Sequence, residues 1–151
     1  GALAPPSDAI AEDVRAVPLA NLEAILRLAA QAEVPVALCS IAFPDLAKAS
    51  LSQRAALRRQ TQHAALLPIA TADMYCRGIA AYNDVLARFC EAALVTYLPV
   101  AESLDGDPRW FTDVCHMNEF GIDAKAEVIA AGIRDCLGAL RALEASAENQ
   151  G

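Results

Sequence analysis

The chain has 151 residues, 56% of them hydrophobic and only 21% charged, which excludes a disordered polymer and suits one domain with an apolar core. Its formal net charge of -7 argues against a nucleic-acid backbone as partner, because that role needs a basic face. Every apolar run is broken by charge or proline well short of the ~20 residues that cross a bilayer, so no membrane span is expected.

Residues 1–17 are rich in Ala and Pro, lack regular periodicity and read as a linker or arm ending near Pro18. The opening Gly1-Ala2-Leu3-Ala4-Pro5-Pro6 has no basic start and no long apolar stretch, so it is not an intact secretory signal; the compartment stays open. From Leu19 an amphipathic helix is expected, with Leu22, Ile25, Leu26, Ala29 and Ala32 on one side and Asn21, Glu23, Arg27 and Gln31 on the other. Glu23 stands four residues before Arg27, a supporting pair, and Glu33 ends the helix. Residues 34–41 are a nearly unbroken apolar run, the pattern of a strand covered on both faces in a parallel sheet. Pro35 suits such a strand's first residues.

After Phe43-Pro44-Asp45, a stretch to Leu67 carries Lys48, Arg54, Arg58 and Arg59 at a spacing compatible with a short helix, and a solvated face is its default reading. A second long helix is expected from about Ile69 to Ala93, carrying Met74, Ile79, Tyr82, Leu86 and Phe89 at helical intervals. Residues 94–98 read as a second strand closed by Pro99, and Asp105-Gly106-Asp107-Pro108 as a turn cluster. Asn118 is placed to cap a final helix whose expected inner face is Ile122, Ala126, Ile129, Ile133, Leu137 and Leu140. The domain is expected over residues 18–146, with residues 147–151 a tail. Cys39, Cys76, Cys90, Cys115 and Cys136 are odd in number, widely spaced and without a C-x-x-C, so free thiols are expected rather than a disulfide framework or a zinc ribbon.

Helix, strand, helices, strand, helix is half of an α/β layered domain. Two parallel strands are too little sheet to stand alone, since independent stability usually takes about three or more. The chain therefore reads as the second half of a larger fold, or as one partner in an assembly that supplies the rest.

One constellation carries chemistry: Asp113-Val114-Cys115-His116-Met117-Asn118-Glu119-Phe120-Gly121, just where the last helix begins. An imidazole that takes a proton from a nucleophile needs a partner to hold its ring and stabilise the imidazolium, and an Asp three residues earlier can do this. The plain structural reading of such a pair is a local hydrogen bond at a helix start. Asp113, Cys115 and His116 are also metal-ligand types, but alternating neighbours rarely converge on one ion without further ligands, so no metal and no cofactor is expected. Cys115 reads as a packed thiol, and His63 as a surface residue of a helix.

This stretch resembles the closing Asp-x-x-His motif of the SGNH, or GDSL-type, hydrolases, often seen there as D-x-x-H-x-N-x-x-G before the C-terminal helix. The upstream order fits as well, with Val34-Pro35-Val36-Ala37-Leu38 as the penultimate strand, Tyr82-Asn83 in the next helix and Leu94-Val95-Thr96-Tyr97 as the last strand. The resemblance covers roughly residues 19–143 in element order. It implies a flavodoxin-like three-layer α/β/α fold with a parallel sheet, two of whose strands lie in this chain, and a serine esterase or lipase-like activity. By the same resemblance His116 is the general base towards a catalytic serine and Asp113 orients it. The family's Gly-Asp-Ser block and its oxyanion Gly and Asn are not found here: Gly106-Asp107 is followed by Pro108, and no Gly precedes Ser40. Two functions are therefore carried forward. One is an ester hydrolase acting on a small-molecule or glycan ester, with its serine from a missing N-terminal half or a second chain. The alternative is a non-catalytic fragment or a binding and assembly module that keeps the fold's second half.

Overall fold

Both apolar runs form strands, and they pair. In the computed structural model, which describes residues 8–63 and 71–148, β1 (Ala37–Cys39) lies parallel to β2 (Thr96–Leu98), with Ala37 opposite Thr96, Leu38 opposite Tyr97 and Cys39 opposite Leu98. Among the described residues the sheet has only these two strands, and the protein is otherwise helical. The arrangement is compatible with an α/β class.

Each strand is shorter than its apolar run because the first residues close the preceding helix. Helix α1 (Asp8–Gln31) ends with Glu33 at φ 55°, so that the Val34 N–H donates to the Ala29 carbonyl at 2.9 Å and the Glu33 N–H to Ala30 at 3.2 Å. Helix α3 (Ala72–Ala93) ends the same way: Leu94 sits at φ 54°, the Val95 N–H donates to Cys90 at 2.9 Å and the Leu94 N–H to Glu91 at 3.3 Å. This double closure satisfies the last carbonyls of a helix and turns the chain sharply. Val34 and Val95 are thereby bound to helix ends and are not in strand.

Helix α1 begins at Asp8, ahead of the expected Leu19, and takes Pro18 into its interior. The segment expected as an arm is thus helical from Asp8 onward; Ala9, Ala11, Glu12, Arg15 and Ala16 are good helix formers, and the helix accepts the one N–H that Pro18 lacks. Helix α2 (Leu51–His63) covers much of the basic stretch, and Arg58 reaches Asp73 of α3 at 2.7 Å while Lys48 reaches Asp105 at 2.6 Å. These are exposed pairs of small net weight. The expected helix start at Ile69 and the end of the basic stretch at Leu67 lie outside the described residues. Within them, α3 starts at Ala72, where the Thr71 hydroxyl accepts from the Met74 N–H at 3.2 Å.

The buried side of α3 is Ala72, Cys76, Asn83, Leu86 and Cys90, so of the five residues noted at helical intervals only Leu86 is buried, and Met74 is exposed. Cysteine behaves here as a small apolar side chain. A short helix α4 (Val100–Leu104) follows β2 directly, putting Val100 and Leu104 into the core with Ala42, Leu46, Leu57, Leu98, Phe111 and Val114.

The last helix, α5 (Glu119–Glu148), corrects the expected inner face. Ala124, Val128 and Ile129 pack on the core, and a Cβ on Gly132 would come within 2.5 Å of Leu98 Cδ2, so its glycine lets α5 lie close on β2. Ile122, Ala126, Ile133 and Leu137 are exposed, and the Leu140 side chain lies outside the described ones. The reason is visible beside the sheet. Ile129, Ile133 and Leu137 line one wall of a cleft of about 720 Å³ whose other wall is Val36, Ala37, Cys39 and Thr96. The apolar stripe was legible, but it faces an open cleft instead of the core. No helix among the described residues is long and apolar enough to cross a membrane.

Candidate active site

The Asp113–His116 loop is held at both ends by its own backbone. Phe111 and Met117 form an antiparallel bridge, and the Thr112 N–H and hydroxyl donate to the His116 carbonyl at 2.9 and 3.1 Å. Between them Val114, fully buried, anchors the tip in the core. The chain must then turn into α5. Asn118 Oδ1 accepts from the Gly121 N–H at 2.9 Å as the helix cap, and its Nδ2 donates to the Arg109 carbonyl at 2.6 Å. A Cβ on Gly121 would meet the Trp110 carbonyl oxygen at 2.3 Å, so no other residue fits this close crossing. Every fixed position of the D-x-x-H-x-N-x-x-G pattern thus has a local mechanical reason.

Within that frame Asp113 uses both carboxylate oxygens. Oδ1 accepts the backbone N–H groups of Cys115 and His116 at 2.8 and 2.7 Å, while Oδ2 stands 2.7 Å from His116 Nδ1. The Asp113 side chain is 11% exposed and that of His116 63%, so a fixed, desolvated carboxylate holds an imidazole that opens to solvent. The geometry sets Nδ1–H towards Asp113 and leaves Nε2 free to accept a proton. Partial burial pushes the Asp113 carboxyl upward, but the His116 ring N–H and the two backbone N–H donors outweigh it and hold the group below its ordinary value.

Such a shift makes stability depend on pH. A carboxylate lowered in the folded state contributes stability that is fully present above its unfolded value near 3.8 and is lost as pH falls through the folded value. Glu102, from an ordinary 4.5, shifts in the same direction. The urea midpoint is therefore expected to fall on acidification from about pH 5 towards pH 2, with a shallower fall in Asp113→Asn. Equal slopes in the two proteins would exclude a strengthened Asp113 carboxylate.

Cys115, between the pair in sequence, places Sγ 3.2 Å from His116 Nδ1. Partial burial, reinforced by the Asp113 carboxylate, pushes its thiol up to about 11, which opposes a nucleophilic role at neutral pH. Burial, together with the nearby Cys115, Cys76 and Asp113 groups, pushes the Tyr75 phenol of α3 up. Nothing in the local spacing marked Tyr75 as a neighbour of the motif.

Ser40 is committed elsewhere. It is 1% exposed; its Oγ donates to Glu102 Oε2 at 2.7 Å and accepts from the Ala101 N–H at 2.8 Å, acting as a cap for α4. Tyr97 OH donates to the other Glu102 oxygen at 2.7 Å, and burial together with this carboxylate pushes the phenol up to about 12. His63 is the last residue of α2, and its side chain lies outside the described ones.

The chain matches no family model, and neither a curated protein nor a solved structure matches it.

Proposed function

We propose that this chain is the base-carrying half of an SGNH-type ester hydrolase on a flavodoxin-like sheet, and that its serine nucleophile and oxyanion donors come from polypeptide outside residues 1–151 or from a second chain. The observation that carries the proposal is the 2.7 Å contact between Asp113 Oδ2 and His116 Nδ1, made by a desolvated carboxylate on an exposed ring. A mere loop fastener would need only Oδ1, which already closes the turn. The cleft beside β1 and β2 gives further support, since its apolar walls suit additional strands and a helix of the same sheet.

In the mechanism, His116 Nε2 removes the serine hydroxyl proton as the oxygen attacks the ester carbonyl carbon, and Asp113 stabilises the imidazolium that results. His116 then returns the proton to the leaving alcohol, and the same base activates the water that cleaves the acyl-serine. Substrates are esters of acyl, acetyl-sugar or lipid type; none of the polar groups described here selects among them.

A fluorophosphonate probe tests the proposal directly. Residues 1–151 alone are expected to remain unlabelled and to show negligible turnover of p-nitrophenyl acetate. Addition of a preceding segment that carries Gly-Asp-Ser, fused or as a separate chain, is expected to restore both. Strong labelling of the isolated chain, or none after a segment has demonstrably bound, sinks the reading; the second outcome favours an assembly module that uses the same cleft.

A further inference from the structure

The loop brings three metal-ligand types together that sequence spacing alone would separate. Asp113, Cys115 and His116 each offer one donor atom, and these atoms all lie within 4.8 Å of one another. His116 Nδ1 is at their centre, 2.7 Å from Asp113 Oδ2 and 3.2 Å from Cys115 Sγ. Adjacent side chains ordinarily diverge. Here they converge because the Asp113 Oδ1 contacts fold residues 113–116 into a tight turn, with Val114 drawn inward.

The geometry points to a three-ligand site for a thiophilic divalent cation of the zinc kind, bound by Asp113 Oδ2, Cys115 Sγ and His116 Nδ1 with its fourth position open to water. Zinc takes thiolate, imidazole and carboxylate at about 2.3, 2.0–2.1 and 2.0–2.2 Å, and three protein ligands plus a water is one of its usual arrangements. Tetrahedral angles at those bond lengths separate neighbouring donors by about 3.4–3.6 Å. His116 Nδ1 stands about 0.7 Å nearer Asp113 Oδ2 and about 0.4 Å nearer Cys115 Sγ than that, so the ion enters by an outward swing of the exposed Cys115 and His116 side chains. The softness of sulfur disfavours magnesium and calcium.

The proton balance is simple. Binding releases the Cys115 thiol proton to solvent, and the imidazole stays neutral while its hydrogen passes from Nδ1 to Nε2. This has a consequence that rests on the hydrolase reading: an imidazole metallated at Nδ1 carries its hydrogen on Nε2 and can no longer accept the serine proton. The ion would then be an inhibitor of the completed site.

Co2+ titration of residues 1–151 under a non-thiol reductant tests the site without any activity. A saturable thiolate-to-cobalt charge-transfer band in the near ultraviolet, with intense visible bands of tetrahedral cobalt, both displaced by Zn2+, is the expected result. Cys115→Ser is expected to remove the charge-transfer band and to weaken Co2+ binding about a hundredfold or more, since even supporting residues of metal sites cost about 10–100-fold. His116→Ala is expected to weaken Co2+ binding to a similar extent, whereas Cys39→Ser and Cys136→Ser leave the spectrum unchanged. No band at saturating Co2+, or a band that survives Cys115→Ser, overturns the site. In the completed hydrolase Zn2+ is expected to block probe labelling, and Cys115→Ser to relieve that block. A cobalt band in a protein that never labels would leave the metal site standing and remove the hydrolase reading alone.

Discussion

His116→Ala in the completed hydrolase is expected to lower kcat/KM by about 10⁴–10⁶-fold, because the members of a nucleophile-base pair act as one unit and the loss of either removes the covalent route. The residue is exposed and its ring contacts polar atoms of the same loop, so the substitution leaves the core untouched. The lost ring N–H to the Asp113 carboxylate is expected to lower stability by about 1–2 kcal/mol in urea, far too little to imitate the effect. Asp113→Asn tests a different link. The amide can keep an oxygen on the Cys115 and His116 N–H groups, but its NH2 then faces Nδ1 and donates to it. That reverses the tautomer and puts the hydrogen on Nε2, so a fall on the order of 10⁴ in kcat is expected with KM little changed. Activity in either variant within about tenfold of the parent would reduce the pair to a helix-start fastener.

What could be read from the sequence follows the range of the interactions involved. The strands were legible because β-branched and small apolar residues run together there, and their parallel pairing followed from the helical sequence between them. The Asp113–His116 contact was legible because it is local, with three residues and one turn fixing it. Asn118 as a cap was legible for the same reason. The face of α5 was not, because the periodic stripe through Ile133 and Leu137 is as apolar as the side that packs, and only the crossing at Gly121 and Gly132 decides which side turns inward. Close approach of two backbones leaves no hydrophobic signature. The Ser40–Glu102–Tyr97 network was also out of reach, since it joins residues from different elements whose meeting depends on the finished fold.

Asn83→Ala is expected to give the largest stability loss of any single polar substitution discussed, about 2–4 kcal/mol by urea unfolding, although its sequence context marks it only as one residue of a helix. Asn83 is 6% exposed on α3, and it treats Ile41 as a strand would: Oδ1 accepts the Ile41 N–H at 2.9 Å and Nδ2 donates to the Ile41 carbonyl at 2.9 Å. The amide thereby satisfies both backbone groups just where the chain leaves β1. The segment so fixed leads directly into Ala42, Pro44 and Leu46, all buried. Truncation removes two hydrogen bonds and opens a small void against this segment, and the cost of unpaired backbone groups adds to that of lost packing. Asn83→Asp separates the two halves of the effect. It keeps an acceptor for the N–H but sets a carboxylate oxygen against the Ile41 carbonyl, so at neutral pH it should be at least as damaging as alanine, and should recover in part on mild acidification as the carboxyl gains a proton. A change under about 0.5 kcal/mol in Asn83→Ala would show that water replaces the amide fully. Because Asn83 touches neither Asp113 nor His116, the folded variant should still bind Co2+ with parental affinity, which separates a clamp on the strand end from any part in the site.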